Sequence, residues 1–150
     1  PEECDFAQEF TLLCKSLEQR VSEPSVKFIT ENPYSSLMVN IDKGRISQVI
    51  TNFLTNSVKY THEGHIKLGY IVKDNGLRIY CEDTGSGIPK DKLEKIFERF
   101  FKVNEYIQGA GIGLSICKAI VNKCEGKIGV ESEEGKGSTF WIWVPCEIFM

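Results

Sequence analysis

The chain has 150 residues, of which 41% are hydrophobic and 26% are charged, and its net charge is −3. These values are typical of one globular domain, here residues 1–150, and the charge predicts no nucleic-acid partner. No apolar run approaches the roughly 20 residues of a membrane helix, so we expect no membrane contact by this domain and a cytoplasmic location. The six cysteines include no CxxC pair, which predicts reduced thiols rather than a disulfide framework or a zinc site.

The first 25 residues predict an entry helix. Apolar side chains recur every three or four positions from Phe6 to Val21, as they do on one face of a helix. Asp5 is a suitable N-cap, and the proline-containing segment 22–24 ends the pattern.

Two short strands, at 26–31 and 35–41, are predicted before a second helix. Asp42 is placed to cap this helix, whose apolar residues recur from Ile46 to Val58. The helical pattern ends near the turn sequence YTHEG.

The second half of the chain predicts further strands, two helices and a polar loop. In chain order these are strands at 65–72 and 77–82, a short helix at 90–101, a loop at 102–113, a helix at 114–124 and a hairpin at 127–145. Asn75-Gly76 predicts a tight hairpin turn because both residues accept positive φ, and Gly126 is expected to end the third helix. The order of elements predicts an α+β sandwich, with one sheet covered on one face by about three helices.

The second helix carries a polar stripe close to its apolar one. Asn52, Asn56, Lys59 and Tyr60 lie at i, i+4, i+7 and i+8 and therefore share a face. An ordinary solvent-exposed face would also have this composition. Oxygen and ammonium groups on one face nevertheless suit Mg²⁺ and phosphate, because Mg²⁺ takes oxygen ligands and few of them from protein.

Asp83 precedes Gly85 and Gly87 at the end of a predicted strand. The sequence Asp-Thr-Gly-Ser also occurs in aspartic proteases, but those enzymes need two such aspartates in an all-β fold, whereas this chain has one and three helical patterns. A simple turn is the second alternative. The third is base recognition, because a carboxylate accepts a hydrogen bond from the adenine amine, whereas guanine presents a carbonyl at that position.

Two glycine-rich segments follow. Gly109, Gly111 and Gly113 open the third helix, where free N–H groups and the positive end of the dipole suit phosphate. No GK[ST] follows, so the segment is not a Walker A loop, and no strand precedes it, which argues against a dinucleotide fingerprint. The segment 135–139, GKGST, predicts a hairpin turn when taken alone.

Taken together, these motifs resemble those of sensor histidine kinases. NFLTNSVKYT, DTGSGIP, IFERFF, GAGIGLSI and GKGSTFWIWVP are similar in order and spacing to the N, G1, F, G2 and G3 boxes of that family, from about Ile41 to Pro145. The resemblance implies the Bergerat ATP-binding fold, a two-layer sandwich with a mixed, mostly antiparallel sheet. It also implies ATP and Mg²⁺ as the bound cofactors.

The resemblance implies that Asp83 holds adenine, that Asn56 binds Mg²⁺ and that Asn52 supports it. Further nucleotide contacts are implied for Lys59, Tyr60, Gly85, Gly87, Ile88, Lys102, Gly111, Gly113, Leu114 and Thr139. Residues 101–110 would form a short lid over ATP, from which Lys102 reaches the phosphates. The implied catalytic residues are Asn52, Asn56, Lys59 and Lys102.

Two features depart from the family pattern. The lid carries AGIG where the family usually has Thr and Leu. The phosphate-accepting histidine of a helical hairpin is absent, since His62 and His65 lie in a turn before a strand and are interpreted as surface residues. We therefore expect a catalytic domain that acts on a separate acceptor-histidine dimerisation domain of a homodimeric parent, with a response regulator as indirect partner. The sequence leaves open whether that parent is anchored in a membrane.

The same fold also occurs in clamp ATPases and in free-standing serine kinases that bind a transcription factor. Those proteins resemble each other in carrying Glu at the position of Asn52, where it acts as a general base. Asparagine cannot take a proton at neutral pH, so Asn52 favours a domain that holds ATP without hydrolysing it efficiently. We expect the isolated domain to be monomeric.

Overall fold

We describe a computed structural model of the chain over residues 1–93, 95–97 and 113–149. Within these ranges the helices are α1 (Phe6–Glu18), α2 (Lys43–Tyr60) and α3 (Gly113–Lys123), with a 3₁₀ turn at Lys90–Lys92. The strands are β1 (Glu2–Asp5), β2 (Val26–Glu31), β3 (Met38–Ile41), β4 (Gly64–Lys73), β5 (Gly76–Asp83), β6 (Lys127–Glu133), β7 (Gly137–Pro145) and β8 (Glu147–Phe149).

The strands form two sheets. The larger has the order β2-β4-β5-β7-β6, in which only the β2–β4 pair is parallel. The smaller is antiparallel, with the order β1-β3-β8. The sequence pattern predicted one sheet, and this prediction was incomplete. The partners of β3 are strands of four and three residues near the chain ends, which are too short to give a periodic signal.

The helices begin at the caps predicted from the sequence. The Asp5 side chain accepts a hydrogen bond from Gln8 N at the start of α1, and the Asp42 side chain accepts one from Arg45 N at the start of α2. Asp5 also accepts one from Leu37 N at 2.9 Å, which ties α1 to the segment before β3. None of the three described α-helices has the length and apolarity that crossing a membrane requires.

All three helices pack on one face of the larger sheet. Phe53 of α2 stacks on Phe140 of β7 at 5.4 Å between ring centroids, and Phe10 of α1 meets Tyr70 of β4 at 4.8 Å. The buried side of α3 contributes Val121 to the same core. The predicted α+β sandwich is confirmed, and its core lies between the helices and the sheet.

The β4–β5 hairpin turns one residue earlier than predicted. Asp74 and Asn75 have φ of 50° and 58°, whereas Gly76 already pairs with Lys73 in the sheet. Gly76 is required for a different reason. A Cβ on it would lie 2.3 Å from the Val144 carbonyl oxygen, so a side chain would push β7 away.

The end of α3 also differs from the prediction. Gly126 N donates to the Val121 carbonyl at 2.9 Å and Glu125 N donates to that of Asn122 at 3.0 Å, which is the hydrogen-bond pattern of a Schellman motif. The left-handed residue of this motif is Glu125, with φ of 61°, rather than Gly126. Of the helix predicted at 90–101, the described residues show a 3₁₀ turn at Lys90–Lys92, and residues 94 and 98–101 lie outside the described part of the chain.

Candidate nucleotide-binding site

A buried carboxylate stands at the end of β5. Asp83 is 3% exposed, its Oδ2 accepts from Ser57 Oγ at 2.8 Å, and its Oδ1 accepts from Gly85 N at 2.9 Å. Burial raises the pKa of the Asp83 carboxyl above its ordinary value, and the hydrogen bonds from Gly85, Ser57 and the Ser138 backbone oppose that rise. The three donors hold the carboxylate in place at the end of β5.

Asp83 forms no ion pair with any cation in the described part of the chain. A buried carboxylate that is held only by neutral donors is costly for the fold, and such groups concentrate at functional sites. Because a carboxylate is acceptor-only when ionised, a ligand group that donates a hydrogen bond is the chemistry that would complete this environment.

Glycines bring the loop after Asp83 against its neighbours. A Cβ on Gly85 would lie 2.5 Å from the Tyr60 carbonyl oxygen and 3.0 Å from Asp83 Oδ1. Gly87, with φ of 70°, would clash with the Glu133 carbonyl oxygen at 2.1 Å if it carried a Cβ. Ile88 follows, fully buried, with its N–H on Ser132 Oγ at 2.8 Å. The predicted residues Gly85, Gly87 and Ile88 therefore belong to one loop beside Asp83.

The polar stripe of α2 lies next to this carboxylate, because Ser57 of the same helix contacts Asp83. Asn56 is 9% exposed, and its side chain makes no hydrogen bond with any residue described here. Lys59 is exposed and Tyr60 is half-buried. Asn56 thus presents an amide that a ligand can use, one residue from the serine that orients Asp83.

Asn52 connects α2 to the start of α3. Its Nδ2 donates to the Gly113 carbonyl oxygen at 3.4 Å and to Cys117 Sγ at 3.5 Å. Gly113 is the first residue of α3, and no heavy atom described here comes within 4 Å of a Cβ built on it. Leu114 is buried in the core. The helix therefore begins beside the polar stripe, with an N-terminus suited to an anion.

Three predicted features fall outside the described residues. They are Lys102, Gly111 and the lid at 101–110.

One predicted residue lies on the wrong side of the sheet. Thr139 pairs with Glu82, whereas Ser138 pairs with Asp83, and successive residues of a strand point to opposite faces. The buried face of β7 carries Phe140, so Ser138 shares it with Asp83 and Thr139 does not. Ser138, and not Thr139, is therefore the residue of β7 that shares a face with Asp83.

Three polar residues beside Asp83 were not predicted from the sequence. Ser57 and Ser138 are buried hydroxyls that interrupt apolar patterns, which is a signal that the sequence does carry. Thr61 is also buried, and its Oγ1 has no hydrogen-bond partner among the described residues. A Cβ on Gly85 would lie 2.9 Å from this oxygen, which places a further polar atom at the loop.

Neither histidine is part of a described helix. His62 is exposed in the turn after α2, and His65 is on β4 with Nε2 at 3.2 Å from Glu82 Oε2. His62 thus lies in an exposed turn as predicted, whereas His65 is half-buried and already belongs to the strand. In the described part of the chain, no three His, Cys, Asp or Glu side chains are grouped to hold a metal ion.

Comparison with known proteins identifies the family of this chain. The family model of histidine kinase-, DNA gyrase B-, and HSP90-like ATPases matches residues 41–148. The chain is 38% identical to sensor protein kinase WalK of Staphylococcus epidermidis over 129 residues, which are 81% of the chain and 21% of WalK. It is 35% identical to WalK of Staphylococcus aureus over 136 residues, which are 85% of the chain and 32% of that protein.

Similar solved structures indicate the same family as these sequence relatives. Full-length ShkA in complex with AMPPNP is similar with a TM-score of 0.84 and 28% identity, over 98% of this chain and 31% of ShkA. The catalytic domain of histidine kinase ThkA is similar with a TM-score of 0.82 and 30% identity, over 95% of this chain and 93% of that domain. The chain thus spans a fifth to a third of the length of these WalK proteins and of ShkA, and nearly all of the isolated ThkA domain. It belongs to the histidine kinase-, DNA gyrase B- and HSP90-like ATPase family, as an ATP-binding domain of the sensor histidine kinase type with the Bergerat α+β fold.

Proposed function

We propose that this domain binds Mg²⁺-ATP and supplies the γ-phosphoryl group to a histidine on a separate dimerisation and phosphotransfer domain in two-component signalling. The observation that carries the proposal is Asp83, a buried carboxylate without a cationic partner in the described residues, placed beside the polar stripe of α2. The similarity to WalK and to ThkA, and the AMPPNP in the ShkA complex, support the same function.

Asp83 would recognise the base. Its carboxylate would accept a hydrogen bond from the exocyclic amine of adenine, while Ser57 and the Gly85 N–H hold the two oxygens in place. The buried hydroxyl of Ser138 would complete the base side, directly or through water. Guanine offers a carbonyl where adenine has the amine, and acceptor would then face acceptor in a buried site, so the site would select ATP.

The polar stripe of α2 would hold the phosphates and the metal. The Asn56 amide oxygen is the candidate Mg²⁺ ligand, because its side chain has no hydrogen-bond partner among the described residues, and phosphates would supply most other ligands. The ammonium group of Lys59 and the N-terminus of α3 would attract the anionic chain. Bound Mg²⁺ would neutralise phosphate charge during transfer.

Asn52 separates this function from those of related proteins that hydrolyse ATP. An amide cannot accept a proton at neutral pH, so neither water nor a serine hydroxyl would be activated at this position. The catalytic base and the acceptor would therefore come from a partner, the histidine domain of a homodimeric parent kinase. A response regulator would receive the phosphoryl group next, and the whole assembly would work in the cytoplasm.

Incubation with γ-labelled ATP tests the proposal. The chain alone should retain ATP with little phosphate release and no stable label, because no histidine of the described residues lies on a helix. Addition of a cognate acceptor-histidine domain should move the label onto that domain. Rapid phosphate release by the chain alone would favour a clamp ATPase. Label on His62 would show that its interpretation as a surface turn residue is wrong.

A further inference from the structure

We propose that Cys117 is a positioning residue for Asn52: together with the Gly113 carbonyl, its thiol fixes the side-chain amide of Asn52 in one orientation. The inference rests on the proposed function, since it assigns the orientation a role in holding Mg²⁺ and phosphate. Nothing in the five motifs singles out residue 117, which in the sequence is one more apolar position of α3.

The orientation of the Asn52 amide follows from the hydrogen-bonding capacity of its two neighbours, the Gly113 carbonyl and the Cys117 thiol. A carbonyl oxygen only accepts hydrogen bonds, so the 3.4 Å contact with Gly113 requires Nδ2, and not Oδ1, on that side of Asn52. Cys117 Sγ lies 3.5 Å from the same nitrogen and also accepts from it. The two acceptors are four residues apart on α3 and therefore form one edge. The two acceptors therefore hold Nδ2 against α3, and Oδ1 points away from them.

The thiol suits this position because it is neutral and buried. Cys117 has no exposed surface, and burial raises the pKa of its thiol to about 11, although the hydrogen bond from Asn52 opposes the rise. A neutral sulfur packs as a small apolar group and still accepts a weak hydrogen bond. It therefore orients the amide without adding a charge next to the phosphates.

Orientation matters because the two ends of a carboxamide have opposite chemistry. Oδ1 can bind Mg²⁺ or accept from a water in its shell, whereas Nδ2 cannot be a metal ligand. If Cys117 were apolar, Nδ2 would retain only the long contact with Gly113, and a flipped amide would become accessible. The fraction of chains with Oδ1 correctly placed, and with it the Mg²⁺-dependent affinity for ATP, would fall.

Three variants test the role in the 150-residue chain. Cys117→Ala removes the acceptor, Cys117→Ser replaces it with a hydroxyl, and Cys14→Ala is the matched control, a buried cysteine on α1. The first readout is the solvent exchange of the Asn52 side-chain amide protons, measured by NMR without nucleotide. Their signal is assigned by its disappearance in the Asn52→Ala variant. Cys117→Ala should raise solvent exchange of this amide about two- to tenfold, which corresponds to one neutral hydrogen bond, while Cys117→Ser and Cys14→Ala should not.

The second readout is ATP affinity with and without Mg²⁺. Cys117→Ala should weaken Mg²⁺-ATP binding about two- to tenfold with little change in the metal-free affinity, and it should have no further effect in an Asn52→Ala background. Cys117→Ser should restore binding. If Cys117→Ala weakened binding only by destabilising the fold, Cys14→Ala should weaken binding equally. The urea midpoints of the two variants show whether their losses of stability are comparable.

The outcomes separate the two proposals. If wild type binds Mg²⁺-ATP and Cys117→Ala matches it in both readouts, the positioning role is wrong and the proposed function stands. The positioning role is also wrong if the effect of Cys117→Ala persists in the Asn52→Ala background. If wild type fails to bind Mg²⁺-ATP at all, the proposed function is refuted, and the role of the oriented amide is refuted with it.

Discussion

Replacement of Asp83 by Asn is the most direct test of the base-recognition site. The change keeps the shape of the side chain and removes only its charge and one acceptor oxygen. In the present structure both oxygens face donors, Ser57 Oγ at 2.8 Å and the Gly85 N–H at 2.9 Å. The NH₂ group of an asparagine must therefore face one of these donors or the adenine amine, and each choice loses an acceptor.

The magnitude follows from the burial of the site. A hydrogen bond to a charged group contributes about 1.5–3 kcal/mol, and Asp83 is 3% exposed, so water cannot replace the lost partner without rearrangement. We expect Asp83→Asn to weaken ATP binding about ten- to a hundredfold. The fold should persist, because the desolvation penalty of a buried charge is removed together with the hydrogen bond.

Isothermal calorimetry with ATP measures the effect, and Glu82→Gln is the matched control. Glu82 is the adjacent carboxylate, but it faces the other side of the sheet, where it pairs with His65. The same chemical change there should leave ATP affinity within about twofold, since surface ion pairs contribute little. Equal affinities of Asp83→Asn and wild type for ATP, or equal affinities of wild type for ATP and GTP, would refute the assignment of Asp83.

Three further predictions concern the metal, the fold and pH. Asn56→Ala should abolish most of the gain in ATP affinity that Mg²⁺ provides, measured by titration with and without the metal, because few protein oxygens hold the ion; an unchanged gain would exclude Asn56 as a ligand. Glu125→Gly should stabilise the fold by about 0.5–1 kcal/mol, seen as a higher urea midpoint, because Glu125 has φ of 61° at the end of α3. The folded pKa of Asp83 is raised above 3.8, so protonated Asp83 favours the fold below that pH. Wild-type stability relative to Asp83→Asn should therefore decline as pH rises from about 4 through the folded pKa and stay low above it, as measured by unfolding at each pH; a relative stability that rises with pH would contradict the burial argument.

Much of this molecule is predictable from local chemistry. Asp5 and Asp42 cap α1 and α2 as expected, because a cap is an interaction between a side chain and a backbone N–H three residues away. The α+β class follows from the order of periodic segments. The polar stripe of α2 follows from helical spacing alone, and it does lie beside the segment that begins with Asp83.

The sequence by itself therefore determined the features that depend on residues within about one helical turn of each other, such as the helix caps and the polar stripe of α2. Only the tertiary structure decided which residues complete the site. Ser57 reaches Asp83 across 26 positions, and Ser138 rather than Thr139 shares its face because the β5–β7 register pairs residue 83 with residue 138. Strand register and helix packing are set by the fit of whole surfaces in the core, so a shift of one residue reverses a side chain without changing any local propensity. The same reason explains the small sheet, in which β3 pairs with one strand near each end of the chain.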